Sequence, residues 1–266
     1  MATDPRDRRV TARIGRTLIE ALQVLGEVTV LTGQVLVALV HVPRDRARVA
    51  AQLVRIGTET LPIGALLSLF VGMVLVLQAA EQLREISQGI LGPLVGLSMT
   101  KEMGPVLMAY LLAGRAGSAI AAELGAMTVY DEVNALRTLD IDPVRFLVMP
   151  RVVAATLALP VLVLYADFVG IAGGAAVVAL DPAIKISVNE YFARMLEWMH
   201  FQDLLVGFVK AIFFGAIAAV VPCTFGLRAR GGAEGIAAAT TSAVVWSFML
   251  ILVFDFLVVR LALAVL

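Results

Sequence analysis

The sequence predicts an all-α protein that crosses a membrane several times. Of its 266 residues, 60% are hydrophobic and only 16% are charged, and the mean hydropathy is +0.93, which is far from the values of soluble domains. Several apolar stretches reach the roughly 20 residues that a helix needs to cross the hydrocarbon. The predicted architecture is an N-terminal interfacial helix followed by five transmembrane helices and one cytoplasmic helix inserted between them.

The first apolar stretch, residues 17–42, is predicted to lie in the membrane interface. It contains two glutamates, two glutamines and a histidine, and basic clusters flank it on both sides, a composition that favours an interfacial helix over a span. A cleaved signal peptide is the rival, but the run lacks a small-residue cleavage site and another arginine cluster follows it. We therefore divide the chain into an N-terminal segment, residues 1–55, and a transmembrane domain, residues 56–266.

Five longer apolar segments are predicted to span the membrane. The second of them contains two Gly-Pro pairs together with Lys101, Glu102 and Arg115. Proline kinks a membrane helix and frees backbone groups that protein or water must satisfy, so this span is expected to face protein or a cavity. The predicted spans are residues 61–80, 90–122, 152–180, 204–227 and 236–266.

Residues 123–139 are polar enough to leave the bilayer between the second and third spans. Met127, Tyr130, Val133 and Leu136 recur at helical spacing with acidic residues between them, which predicts one short amphipathic helix. The Asp142-Pro143 pair is expected to end it.

The distribution of basic residues predicts the orientation. Nine of the 21 lysines and arginines precede residue 56, and basic residues mark the cytoplasmic side of membrane proteins. The N-terminus and the helix at 123–139 are therefore predicted to be cytoplasmic, and five crossings leave the C-terminus outside.

Ionisable residues inside the predicted spans need partners or a wet cavity, because an isolated charge in hydrocarbon is unfavourable. Two interpretations stay open at this point, namely mutual neutralisation within the helix bundle and direct contact with a substrate. These residues are Lys101, Glu102, Arg115, Lys210 and Asp255.

Small residues spaced four apart predict a close helix contact. The contact could lie inside one protomer or between two copies of the chain, and the spacing does not distinguish them. The two rows are Gly114, Ser118 and Ala122, and Gly117, Ala121 and Gly125.

Several catalytic signatures are absent from the sequence. It contains no G-x-x-x-x-G-K-[ST] phosphate loop, no H-E-x-x-H and no G-x-S-x-G, which argues against ATP binding in the P-loop manner and against hydrolytic chemistry in this chain. Cys223 is the single cysteine, and we expect it to pack as a small apolar residue. Intramembrane charges and broken helices also fit an ion-coupled secondary transporter, although no internal repeat supports that alternative.

The central block of the sequence resembles the MlaE (YrbE) family of ABC-transporter permeases. The similarity extends over nearly all of the chain after about residue 50. It is carried by residues 101–105 (KEMGP), 113–118 (AGRAGS), 123–127 (ELGAM), 131–135 (DEVNA) and 142–143 (DP).

This resemblance implies an MlaE-type permease in the bacterial inner membrane that moves phospholipids or related lipids between the inner and outer membranes. It also implies a homodimer with two cytoplasmic ATPase subunits, a periplasmic hexamer of a mammalian-cell-entry (MCE) domain protein and, in some systems, a STAS-domain protein. ATP and Mg would then be bound by the partner ATPase, with no cofactor in this chain. No nucleic-acid partner is expected.

The resemblance also suggests roles for individual residues. The helix at 123–139 looks like the coupling helix that contacts the ATPase. Lys101 stands where other members carry arginine, which bears on headgroup preference because the two cations differ in geometry and hydration. The implied coupling residues are Glu123, Gly125, Met127, Asp131, Glu132, Asn134, Asp142 and Pro143, and the implied lipid cavity contains Val74, Gln78, Lys101, Glu102, Lys210 and Asp255.

Overall fold

A computed structural model of the chain describes residues 5–83 and 88–265, and its side chains are described between residues 18 and 261. This part of the chain is helical throughout its regular elements, which confirms the predicted all-α fold class. The α-helices are α1 Pro5–Ala38, α2 Arg46–Gln82, α3 Leu91–Ser98, α4 Gly104–Leu112, α5 Ser118–Val129, α6 Glu132–Thr138, α7 Met149–Leu180, α8 Val188–Trp198, α9 Phe201–Leu227 and α10 Gly232–Val265.

Six helical segments in the described residues are long and apolar enough to cross a membrane. The first four predicted spans fall within the next four of these segments after Leu18–His41, and the fifth, residues 236–266, overlaps the last segment and runs five residues past its end at Leu261. Hydropathy located these spans because about 20 consecutive apolar residues have no other stable environment. The six segments are Leu18–His41, Arg46–Gln82, Gln88–Val129, Val144–Leu180, Phe201–Leu227 and Gly232–Leu261.

Helix α1 lies across one end of the bundle. Ala38 packs against Val49 and Met149 at the beginnings of α2 and α7, and Glu27 forms a 3.0 Å ion pair with Arg228, just after the end of α9. These contacts join α1 to the ends of three different helices, which is the arrangement expected of the predicted interfacial helix. The predicted boundary between residues 55 and 56 falls inside the continuous helix α2.

Helices α2 and α7 cross with their backbones in close contact. Residues at every fourth position of α2, including Gly64, Ser68 and Gly72, are buried, and a Cβ atom added at Gly72 would collide with the carbonyl oxygen of Gly170 in α7. Glycine is required here because the two backbones touch, as in other membrane helix pairs with small residues at four-residue spacing. The opposite face of α2 stays exposed.

The second span contains two π-helical turns, of which only the first adjoins a predicted proline break; the other predicted break, Gly92-Pro93, lies inside α3. Helices α3, α4 and α5 follow one another through π-turns at Met99–Met103 and Ala113–Gly117, so the chain continues as a helix through Gly104 and Pro105. A π-turn inserts an extra residue and leaves the i to i−4 ladder locally unmade, and such turns concentrate at functional sites. Lys101, Glu102 and Arg115 all lie in these turns.

The row of small residues formed by Gly117, Ala121 and Gly125 packs against α9 and the residues that follow it in the same protomer. A Cβ atom at Gly117 would lie 3.0 Å from Pro222 Cγ of α9, and one at Gly125 would lie 3.3 Å from Ala229 Cβ. For this row the intramolecular interpretation is therefore correct. Cys223, on the same helix as Pro222, is buried in the apolar core as expected.

The bundle has two distinct ends, which we call the α6 end and the α8 end. The α6 end contains α6, the beginnings of α2, α7 and α10 and the ends of α5 and α9. The α8 end contains α8 and the opposite termini of these spans. There, the side-chain amide of Gln88 donates to the backbone oxygen of Ala183 at 3.4 Å, and its side-chain oxygen accepts from the backbone N–H of Lys185 at 2.7 Å.

Candidate functional site

The segment predicted as one coupling helix is two helices, so that prediction is wrong. Helix α5 ends at Val129, and Asp131 adopts a left-handed conformation with φ of 62° before α6 begins at Glu132. Aspartate tolerates this conformation better than most residues, and this property allows a sharp turn that hydrophobic spacing does not reveal.

The first three residues of the predicted coupling set lie on α5 and contact the bundle itself. Glu123 forms ion pairs with two arginines. Gly125 is buried against Ala229 and Ile236, and Met127 packs against the apolar core. Their contacts join α5 to the neighbouring spans. They therefore do not belong to the exposed surface of the α6 end.

The remaining acidic and amide residues of this set are exposed at the α6 end. Asp131, Glu132 and Asn134 are all open to solvent, and the Asn134 amide donates a 2.8 Å hydrogen bond to Asp131 Oδ1. This bond closes the first turn of α6 and fixes the position of the Asp131 carboxylate. The result is a short exposed helix with two carboxylates, Asp131 and Glu132, at its beginning and Arg137 at its end.

Asp142 and Pro143 begin the next helix, whereas they were predicted to end the previous one. Helix α6 already ends at Thr138, and Asp140 is left-handed with φ of 59°. The Asp142 carboxylate accepts a 3.0 Å hydrogen bond from the backbone N–H of Val144, which caps the π-turn Val144–Val148 that leads into α7. The pair thus redirects the chain back into the bundle.

A groove of about 450 Å³ separates α6 from the link between α9 and α10. Asn134 and Arg137 line one side, and Arg230, Gly231 and Gly232 line the other. Both glycines have positive φ, at 91° and 71°, a conformation that favours glycine. Sequence reasoning did not assign this link to the site, although the Gly-Gly pair was the signal that could have identified a turn there.

The predicted cavity charges meet at Lys210. Its ammonium group donates a 2.7 Å hydrogen bond to Glu102 Oε2 and a 3.1 Å hydrogen bond to the backbone oxygen of Lys101, and it forms a 2.9 Å ion pair with Asp255 Oδ1. Helices α9 and α10 and the first π-turn of the second span contribute these groups. Lys210 is fully buried, so a lone ammonium group there would be strongly unfavourable. Its two carboxylates supply the compensation.

Lys101 has a partner that sequence reasoning did not identify. Its ammonium group lies 2.6 Å from Asp203 Oδ1 at the start of α9, while the other Asp203 oxygen accepts a 2.9 Å hydrogen bond from the backbone N–H of His200. The side chains of Lys101 and Glu102 remain about two-fifths exposed. Both are therefore accessible to a ligand despite their ion pairs.

Val74 and Gln78 lie outside this charged cluster. They occupy successive turns of α2 on its exposed face, about 200° around the helix from the buried Gly72 and Val76. The structure thus joins Lys101, Glu102, Lys210 and Asp255 and leaves Val74 and Gln78 on a separate surface.

Arg115 belongs to a second charged cluster near the α6 end. Its guanidinium group lies 2.6 Å from Glu59 of α2. Arg55 pairs with Glu123 at 2.6 Å, and Arg151 of α7 pairs with the same carboxylate at 3.1 Å. The sequence predicted that Arg115 needs a partner, and the structure supplies one from a helix 56 residues away.

A bundle of apolar helices with ion pairs inside it and short polar segments at its two ends is the architecture of a multi-pass membrane protein. A family model described as Permease MlaE matches residues 49–261. The chain therefore belongs to the MlaE permease family, as the central motifs suggested.

Curated relatives cover nearly the whole chain. A probable ABC transporter permease protein of Rickettsia bellii is 36% identical over 251 residues, which are 93% of this chain and 95% of the relative. The intermembrane phospholipid transport system permease protein MlaE of Haemophilus influenzae is 33% identical over 249 residues, 92% and 94% of the two chains. The chloroplastic protein TRIGALACTOSYLDIACYLGLYCEROL 1 of Arabidopsis thaliana is 35% identical over 230 residues, 86% of this chain and 65% of the relative.

Proposed function

We propose that this permease is the membrane-spanning subunit of an ABC transporter that moves phospholipids or related lipids between the inner and outer membranes of a bacterium. A separate ATPase subunit hydrolyses the ATP. The names of the relatives from Rickettsia bellii and Haemophilus influenzae support the transporter class and the phospholipid substrate. The observation in this chain that carries the proposal is the exposed helix α6 at one end of the bundle, which begins with the carboxylates of Asp131 and Glu132.

Helix α6 is the proposed binding site of the ATPase. A soluble partner can bind only where the bundle leaves the bilayer, and the α6 end presents Asp131, Glu132 and Asn134 beside a groove deep enough to receive side chains. Movement of α6 would reach the spans directly, because only Tyr130 and Asp131 separate it from α5. This end is then cytoplasmic, and the segment that joins α1 to α2 lies on the same side.

The remaining partners follow from the same orientation. The α8 end would face the periplasm and an MCE-domain protein hexamer, and the permease would act as a homodimer. A STAS-domain protein could join the ATPase on the cytoplasmic side.

The lipid path is proposed to pass Lys101 and Glu102 and also the separate exposed surface of α2 that carries Val74 and Gln78. Lys210 and Asp255 would act indirectly, because Lys210 is fully buried and already paired with two carboxylates. Lys101, in contrast, is accessible and flexible enough to contact an anionic headgroup while Asp203 holds it in the resting state.

Purification of the tagged chain together with the proteins encoded beside it tests this function. We expect an ATPase to co-elute in equal amount and mass spectrometry to detect bound phospholipid. A homogeneous, folded chain that retains neither the ATPase nor lipid would contradict the proposal and would direct attention to an ion-coupled transporter.

A further inference from the structure

A cleft near the α6 end gathers more positive than negative charge. Arg55 and Glu59 come from α2, Arg115 from the second π-turn, Glu123 from α5 and Arg151 from α7, and they form one connected set of ion pairs. We call this set the arginine cleft. Three guanidinium groups share two carboxylates, so one positive charge remains without a counter-charge inside the set.

That excess charge cannot be removed by loss of a proton. The guanidinium group of arginine stays protonated in proteins, whereas a lysine in the same place could become neutral. The cleft therefore remains cationic unless an anion binds to it. Nearby lipid and protein lower the effective dielectric, which raises the free energy of an uncompensated charge.

Hydrogen-bond donors also remain free in the cleft. The Nε groups of Arg115 and Arg151 are buried and have no hydrogen-bond partner among the described residues. A small cavity of about 30 Å³ opens beside Arg115, lined by Arg55, Glu59 and Glu123. Arg151 adjoins it through its ion pair with Glu123. The free donor of Arg115 and the open space thus coincide, and the spare charge of Arg151 is linked to them through Glu123.

The length and hydropathy of α2 place the cleft at the expected depth of lipid headgroups. Helix α2 has 37 residues and is therefore about 55 Å long, which exceeds the roughly 30 Å hydrocarbon core by about 25 Å. The predicted span of α2 begins at residue 61, so Glu59 stands about 3 Å and Arg55 about 9 Å beyond the hydrocarbon, within or at the edge of the headgroup layer. Phosphate is the anion that membranes provide at this depth.

We propose that the arginine cleft is a binding site for a phosphate group, separate from the Lys210 cluster. Arginine is suited to this ligand because its planar fork can donate two parallel hydrogen bonds to phosphate oxygens. The phosphate can come from the headgroup of an anionic lipid in the adjoining leaflet or from free phosphate. This inference depends on neither an ATPase nor a direction of transport.

The charge count makes opposite predictions for two neighbouring residues. Glu59→Gln removes a negative charge and should strengthen phosphate binding by about tenfold, whereas Arg115→Gln removes a donor and a positive charge and should weaken it by about tenfold or more. The double variant keeps the excess of one positive charge and should bind close to the level of the unmodified chain. Arg228→Gln is the matched control, since Arg228 is another glutamate-paired arginine at the α6 end.

Titration calorimetry of the full chain in an uncharged detergent measures these changes. The probes are dihexanoyl phosphatidylglycerol, inorganic phosphate and dihexanoyl glycerol, which has the same tails without phosphate. Binding of phosphatidylglycerol alone assigns the site to a lipid headgroup, and equal binding of inorganic phosphate assigns it to a free anion.

The proposal requires Glu59→Gln and Arg115→Gln to shift the affinity in opposite directions while Arg228→Gln leaves it unchanged. It is overturned if no phosphate compound binds, if dihexanoyl glycerol binds equally well, or if Glu59→Gln weakens or leaves unchanged the binding of phosphate. If Arg115→Gln fails to fold, the test rests on two other results: the higher phosphate affinity expected of Glu59→Gln, and the near-unmodified phosphate affinity expected of the double variant. Loss of the ATPase partner would not affect any of these results.

Discussion

Replacing Lys210 by methionine is expected to lower the free energy of unfolding by about 3 kcal/mol, the lower end of the range for breaking a buried ion pair, because it leaves two partly buried carboxylates without their counter-charge. Lys210 is fully buried, and its ammonium group lies 2.7 Å from Glu102 and 2.9 Å from Asp255. Thermal unfolding in detergent, followed by fluorescence-detected size exclusion, measures the change. A Lys210→Met protein as stable as the unmodified chain would contradict the pairing described above.

Two control variants separate charge compensation from the loss of lysine packing. The triple variant Lys210→Met, Glu102→Gln and Asp255→Asn removes the whole charged set and should recover most of the lost stability, since a neutral set needs no counter-charge. Lys101→Met should have a smaller effect, because the Lys101 side chain is about two-fifths exposed. Transport by the triple variant then shows whether these charges also act on the substrate.

The second large effect is expected at α6. Glu132→Lys should reduce the amount of ATPase that co-purifies by about tenfold, since reversing a charge at a complementary interface both removes an attraction and introduces a repulsion. The permease itself should keep its stability, because Glu132 is exposed at the first turn of a short helix. Quantification of the ATPase bound to the tagged permease measures the effect.

Glu190→Lys provides the matched control for this experiment. Glu190 is also an exposed glutamate in the first turn of a helix, but α8 lies at the opposite end of the bundle. We expect this variant to retain the ATPase. Equal loss of the ATPase in both variants would argue that protein quality, and not the α6 surface, controls the association.

The sequence predicted the spans well because each one satisfies a single local requirement, a long apolar run bounded by charge. It did not predict the break at Asp131, because a left-handed aspartate depends on one residue's conformation and leaves the spacing of Met127, Val133 and Leu136 unchanged. The π-turns were missed for a similar reason. The Gly-Pro pairs indicated irregularity, but they did not specify how the backbone would accommodate it.

The ion pairs, too, could be predicted only in part from the sequence. Intramembrane charge predicted that Lys101, Lys210 and Arg115 need compensation, and the structure provides it. The identity of the partners was largely out of reach, because Asp203 and Glu59 approach from helices far away in the sequence. Tertiary packing alone determines which carboxylate meets which cation, and the spare charge of the arginine cleft follows from that packing.

The central claim is that ATP hydrolysis in a partner drives lipid movement through this permease, and reconstituted lipid transfer tests it most directly. The complex would be placed in vesicles with a fluorescent phospholipid, and transfer to acceptor vesicles would be followed with and without ATP. We predict transfer that requires ATP and that is lost when the partner's ATPase activity is abolished by mutation. Transfer at the same rate without ATP, or transfer driven by an ion gradient alone, would contradict the account.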